Sequence, residues 1–141
     1  MLDKSIIGRR GPEHTCVVEA GKIKEYAYAV NDRSECYWDD NTPGGLFCPP
    51  TFSHIYRNGK GELLFGSGAD ASRILQGDHE ITFHRALRVG EKITYHLEIV
   101  DYSVKVGKRS GEMDVIVVET ILRDQKGEPV QTIRQTFVHK R

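Results

Sequence analysis

A chain of 141 residues is long enough for a core that buries roughly two-thirds of its unfolded surface, so it needs no disulfide or metal staple. Lys+Arg and Asp+Glu both number 20, which makes the formal net charge zero and removes the basic surplus that nucleic-acid phosphates require. No stretch reaches the ~18 apolar residues of a membrane-spanning helix; Cys16, Cys36 and Cys48 suggest no disulfide framework, and Cys36, Cys48 and His54 match no standard metal-ligand spacing. The expectation is a cytoplasmic domain over 1–141, with no metal, nucleic-acid or membrane partner.

The first half, to about Leu75, is rich in turns. Within it Ile23, Tyr26, Ala27 and Val30 recur at three- and four-residue steps, the spacing of one helical face. Asn31-Asp32 ends that helix, because both residues prefer caps and turns. The run 38–45 is loop by composition. Pro49-Pro50-Thr51 then opens a helix expected over about 50–57, with Phe52, Ile55 and Tyr56 on its apolar side. It stops near Asn58-Gly59 and resumes after Gly61 through Leu63, Leu64 and Phe65.

The second half reads as four strands. Ile81, Phe83 and Arg85 alternate with Thr82, His84 and Ala86, and Ile93, Tyr95, Leu97 and Ile99 alternate in the same way. The run 113–122 is apolar on both faces, which suits a central strand, and 130–138 completes the set. Turn chemistry at Arg88-Val89-Gly90, 108–111 and 124–127 favours antiparallel neighbours. The plan is α+β: an antiparallel sheet curved around a central helix, a hotdog arrangement, with its other face available to a second protomer.

Three segments resemble MaoC-like hydratase/dehydratase proteins, specifically their N-terminal dehydratase domain. They are 21–32, which resembles a helix-then-Asp segment; Cys48-Pro49-Pro50-Thr51-Phe52, which resembles the family's "PPTF"; and 75–91, which resembles its "HGxxxxxFHRPLxxGD" region. The resemblance spans about 13–138 and implies a hotdog fold acting on acyl-CoA or acyl-carrier-protein thioesters. The reaction it implies is reversible addition of water to a 2-enoyl thioester, with the thioester as substrate and no further cofactor. The family's catalytic pair is an Asp and a His five residues later. Here Asp32 matches the Asp, but Tyr37 stands at the His position, and Ser34-Glu35 replace an Asn-Pro. The catalytic motif is degenerate.

Hydration needs a group that takes a proton from water and returns one, which His does near neutral pH and Tyr, with a pKa near ~10, does poorly. The candidate catalytic residues are therefore Asp32, Tyr37 and His79, the last because it follows Gln76-Gly77, where the family's strand enters the site. Pro50, Thr51 and Phe52 are candidate ligand contacts, since a helix beginning there would offer free amides to a developing oxyanion. Lys105, Lys108 and Arg109 form a basic turn suited to the phosphates of coenzyme A. The expected assembly is a homodimer, or a heterodimer or heterotetramer with a second MaoC-like chain: either Asp32 works with an unusual partner, or that second chain holds the complete Asp and His. The missing His favours the second. A hotdog thioesterase using Glu62 and a non-catalytic thioester-binding scaffold are the competing readings.

Overall fold

The computed structural model describes residues 2–141. Its centre is strand β5 (Gly111–Arg123), whose apolar run makes it the middle of a six-stranded antiparallel sheet. Asp114, Val115, Ile116, Val117 and Val118 are all buried, so both faces of this strand lose water, as the sequence implies. β6 (Pro129–Lys140) pairs along one side of β5, and β2 (Ile74–Phe83) lies beyond β6. On the other side β4 (Leu97–Gly107) pairs with β5, while β3 (Lys92–Tyr95) touches β5 only at Thr94↔Arg123 and pairs with β1 (His14–Val17).

Two connections differ from the sequence reading. The strand expected over 93–99 is broken at His96: β3 turns off to meet β1, while β4 stays on β5. The Arg88-Val89-Gly90 joint is not a hairpin. β2 ends at Phe83, short of Arg85, and residues 84–91 cross from this edge strand to β3 on the far side of β5. That crossing is tied down on the way, with the Cys48 amide donating to the Leu87 carbonyl and the Val89 amide to that of Leu46. The outer side of β4 is closed by the N-terminal segment, where the Gly8 amide donates to Ile99 and the Gly11 amide to Leu97. Covering an edge in this way blocks pairing with stray strands.

Helix α1 (Ala20–Ala29) forms as its spacing predicts, burying Ile23 and Ala27. The helix expected over 50–57 does not form. Its place is taken by a 3₁₀ turn, Phe52–Ile55, followed by α2 (Lys60–Gly66), which starts after Gly59 at φ 83°. Phe52, Tyr56, Leu63 and Leu64 from this two-part segment are buried against Ile99, Ile116 and Val118 on the concave side of the sheet. The sheet thus wraps a helical segment, as in a hotdog fold, but the segment is shorter and bent.

The ends of β4, β5 and β6 meet at Asp114, which is 1% exposed. Its carboxylate accepts from Tyr102 Oη at 2.7 Å, Arg141 Nε at 2.8 Å and His139 Nδ1 at 3.1 Å. His139 Nε2 accepts the Asp70 amide at 3.1 Å, which leaves the ring proton on Nδ1. Burial alone would raise the Asp114 pKa, but these donors outweigh it and hold it below the usual 3.8.

Phe52→Ala removes a ring that is 1% exposed, and is expected to cost about 3–5 kcal/mol in chemical denaturation; a cost under about 1 kcal/mol would show that the turn is not part of the core. Because the folded pKa of Asp114 is depressed, its stabilisation is present above 3.8 and is lost as pH falls below it. The urea midpoint should therefore drop on acidification in the native chain more steeply than in Asp114→Asn.

Candidate functional site

The end of α1 sets the first part of the site. Asn31 takes the left-handed conformation, φ 56°. The Asn31 amide donates to the Tyr28 carbonyl and the Asp32 amide to the Ala27 carbonyl, a Schellman closure that uses the last helical carbonyls. The Asp32 side chain then accepts from the Ser34 amide at 3.0 Å and from Ser34 Oγ at 2.6 Å. Those two donors push its pKa down, so it stays ionised. The Asp32 carbonyl also accepts from Trp38 Nε1 at 2.9 Å. Tyr37 is a neighbour, half-buried; burial first, then the nearby Cys36 thiol and Asp32 carboxylate, raise its pKa and keep the phenol neutral.

From there the chain passes through Cys48 to the twin prolines. The Tyr26 hydroxyl lies 2.8 Å from the Thr51 carbonyl and 2.9 Å from Thr51 Oγ1, and its ring meets Phe52 edge-on with centroids 5.7 Å apart. α1 is thereby fastened to the 3₁₀ turn. Of the three residues expected to meet a ligand, Phe52 is instead a core residue, while Pro50 and Thr51 remain at the surface. The expected helix N-terminus is absent as well, because a four-residue 3₁₀ turn has little dipole and the Phe52 amide is already taken by the Pro49 carbonyl.

His79 stands apart from Asp32 and Tyr37. On β2 it pairs with Gln135 of β6, and its ring stacks on that of His54, with centroids 4.0 Å apart and planes 8° from parallel. Gln135 Nε2 lies 3.1 Å from His79 Nδ1; an amide nitrogen only donates, so the ring proton sits on Nε2. That Nε2 is buried and has no partner, and neither has the buried hydroxyl of Ser53. Both groups line a cavity with room for about one water molecule, closed by Thr120 and Gln135. The sequence brought up His54 only as a metal-ligand candidate beside Cys36 and Cys48, since nothing local links it to a residue on a distant strand.

Tyr56 divides this cavity from a larger cleft of about 520 Å³ between α1, β1 and residues 55–58. His14, Cys16, Tyr26, Ile55 and Tyr95 line the cleft, with Lys22 and Glu25 on the α1 side. Burial raises the pKa of Tyr56, so its hydroxyl is neutral. The basic turn lies elsewhere. His79 aligns through Gln135 and Val118 with Ile99, and Lys105 is six residues further along β4, roughly 20 Å away at strand rise, with Lys108 and Arg109 beyond it. Glu62 is exposed on the first turn of α2.

Burial pushes the Cys48 thiol up to about 12, so almost no reactive thiolate exists at neutral pH. Alkylation of the native chain at pH 7 should leave Cys48 unmodified, with labelling appearing only in denaturant; rapid native labelling would contradict the packed position.

The family described as "FAS1-like, dehydratase domain region" matches residues 5–133. A UPF0336 protein of Saccharopolyspora erythraea is 29% identical over 147 residues, covering 97% of this chain and 90% of the relative. A second UPF0336 protein, from Streptomyces griseus, is 32% identical over 142 residues, with 93% and 90% covered. Among solved structures, a MaoC-like dehydratase superposes with a TM-score of 0.82 at 25% identity, over 96% of this chain and 42% of that one. The HadBC (3R-hydroxyacyl-ACP dehydratase) complex of Mycobacterium tuberculosis gives 0.77 at 19% identity, with 96% and 99% covered. The ChsH1–ChsH2 complex of the same organism gives 0.72 at 19%, with 92% and 83% covered.

Proposed function

The chain belongs to the family described as FAS1-like, dehydratase domain region, the MaoC-like dehydratases, and from that premise we propose that it is a subunit of an enoyl-thioester hydratase, or 3-hydroxyacyl-thioester dehydratase, whose proton-transfer pair is supplied by a second MaoC-like chain. The observation that carries the reading is the state of the two residues at the family's catalytic positions. Asp32 is held as a carboxylate by Ser34, and Tyr37 is held as a neutral phenol.

In hydration the water oxygen bonds to C3 of the enoyl thioester. A base takes the water proton, the π electrons shift toward the carbonyl, and an acid returns a proton to C2. One group with a pKa near neutrality can do both. An ionised Asp with a lowered pKa is a weak base, and a phenol with a raised pKa is a weak acid, so neither alternates efficiently at pH 7. What this chain offers is a place for the acyl thioester. The cleft beside Tyr56 has an apolar floor in Ile55, Tyr56 and Tyr95 and polar groups on its α1 side. Two of the similar solved structures are complexes named for two subunits, HadBC and ChsH1–ChsH2, and this is the arrangement proposed here.

The test is a co-purified complex of this chain with a MaoC-like chain holding an intact Asp and His. Asp32→Asn is expected to leave the hydration rate of that complex within about threefold, whereas loss of a working catalytic carboxylate costs on the order of a hundredfold or more. A hundredfold loss would assign the chemistry to this chain. Release of free thiol without hydration would replace the reading with a thioesterase.

A further inference from the structure

The cavity between Ser53 and His79 has an unusual rim. Arg57 lines it beside His54, and Lys60 follows on the first turn of α2, its ammonium 5.2 Å from the centre of the Phe137 ring. Several arginines near the sheet have carboxylate partners: Arg10 with Glu98, Arg85 with Glu91 and Asp124, Arg134 with Glu119, Arg141 with Asp114. Among the described residues no carboxylate lies within ion-pair reach of Arg57 or Lys60. Arg57, Lys60 and two imidazoles gather here, and neither cation forms an ion pair with the neighbouring carboxylates Glu62 and Asp78.

Inside the rim the polar atoms are equally unsatisfied. Ser53 is 1% exposed and its hydroxyl has no partner. His79 Nε2, which carries the ring proton, has none either. A buried donor left unpaired costs about 1–3 kcal/mol, and two around one cavity mark a place where an oxygen atom belongs. The cavity admits one such atom, and the rest of the group that carries it would face Arg57, with Lys60 close enough to act on both imidazoles.

We propose that Ser53 and His79 form the floor, and His54, Arg57 and Lys60 the rim, of a seat for a phosphate ester of the carrier that holds the acyl thioester. A phosphate ester presents more acceptor oxygens than a carboxylate's two, which matches this many donors; as a monoester, the state of the ribose phosphate, it also carries a charge near −2, whereas the doubly esterified pantetheine phosphate carries one negative charge. Two sources share the chemistry: the pantetheine phosphate common to coenzyme A and carrier protein, and the ribose phosphate of coenzyme A alone. The identity of the ligand, though not the anion seat itself, rests on the thioester reading above.

The titratable groups facing the pair support this. Burial first, and then the cations around them, lower the pKa of both imidazoles: Lys60 and Arg57 act on His54, and His54 and Lys60 act on His79, with only Asp78 opposing at His79. Without ligand the rings are neutral at pH 7, and a bound anion reverses the penalty on their protonation. Binding should therefore take up protons and strengthen as pH falls from about 8 to 6.

Four probes separate the possibilities: coenzyme A, dephospho-coenzyme A lacking the ribose phosphate, phosphopantetheine and pantetheine, each titrated by calorimetry. Arg57→Ala, an exposed position, and His79→Gln serve as variants, with circular dichroism as the check on folding. The expected result is that phosphate-bearing probes bind the wild-type chain about tenfold or more tightly than pantetheine, and that either variant removes the difference. Preference for coenzyme A over its dephospho form assigns the ribose phosphate; equal binding of coenzyme A, its dephospho form and phosphopantetheine assigns the pantetheine phosphate. If all four bind equally, the seat is overturned while the thioester reading stands. If none binds, inorganic phosphate decides: a shift of the His54 and His79 ring signals upholds the seat and removes the thioester reading, and no shift removes the seat.

Discussion

The structure depends on covering one concave sheet face. β5 is buried on both sides, and its inner residues Ile116 and Val118 need apolar partners that the sheet cannot supply. The segment from Phe52 to Gly66 supplies them. Every functional feature follows from how that segment is held: Tyr26 fastens its start to α1, and Ser53 and His54 face β2 and β6 because Phe52 and Tyr56 are drawn into the core on either side. The cavity and the cleft lie on the two sides of Tyr56 for the same reason.

The second constraint is local and chemical. A catalytic carboxylate must be free to meet water or its imidazole partner, and one oxygen of Asp32, Oδ1, is committed to Ser34 two residues on. That Asx-type turn is favoured by the sequence itself, since Asp and Ser at this spacing satisfy each other wherever a helix ends. The serine that replaces an asparagine in the motif therefore does more than mark a departure from the pattern: its amide and hydroxyl both bond to Oδ1 of Asp32. His79, the one imidazole among the candidate residues, is engaged with His54 and Gln135 and makes no hydrogen bond to either Asp32 or Tyr37.

Much of this was legible in the residues. The apolar run in β5, the strand read over 130–138 and the face that includes Ile23 and Ala27 made the sheet and α1 readable, and the α+β plan together with the three family-like segments pointed to the hotdog arrangement. The helix over 50–57 failed for a definable reason. Phe52, Ile55 and Tyr56 recur at three and four residues, but hydrogen bonds three residues apart produce nearly the same spacing, so periodicity does not separate a 3₁₀ turn from an α-helix. β1 was missed because four residues, His14-Thr15-Cys16-Val17, carry too little alternation to register. The His54–His79 stack was half visible: alternation with Ile81 places His79 on the inner face of β2, but its partner is set by the packing of a distant turn.

The central claim is that this chain holds the acyl thioester without moving its protons. It is tested most directly by following a 2-enoyl-CoA with the purified chain alone and watching for loss of the conjugated thioester absorbance. The expected rate is indistinguishable from the protein-free control. Turnover in the ordinary range of about 1–10³ s⁻¹, abolished by Asp32→Asn, would contradict it.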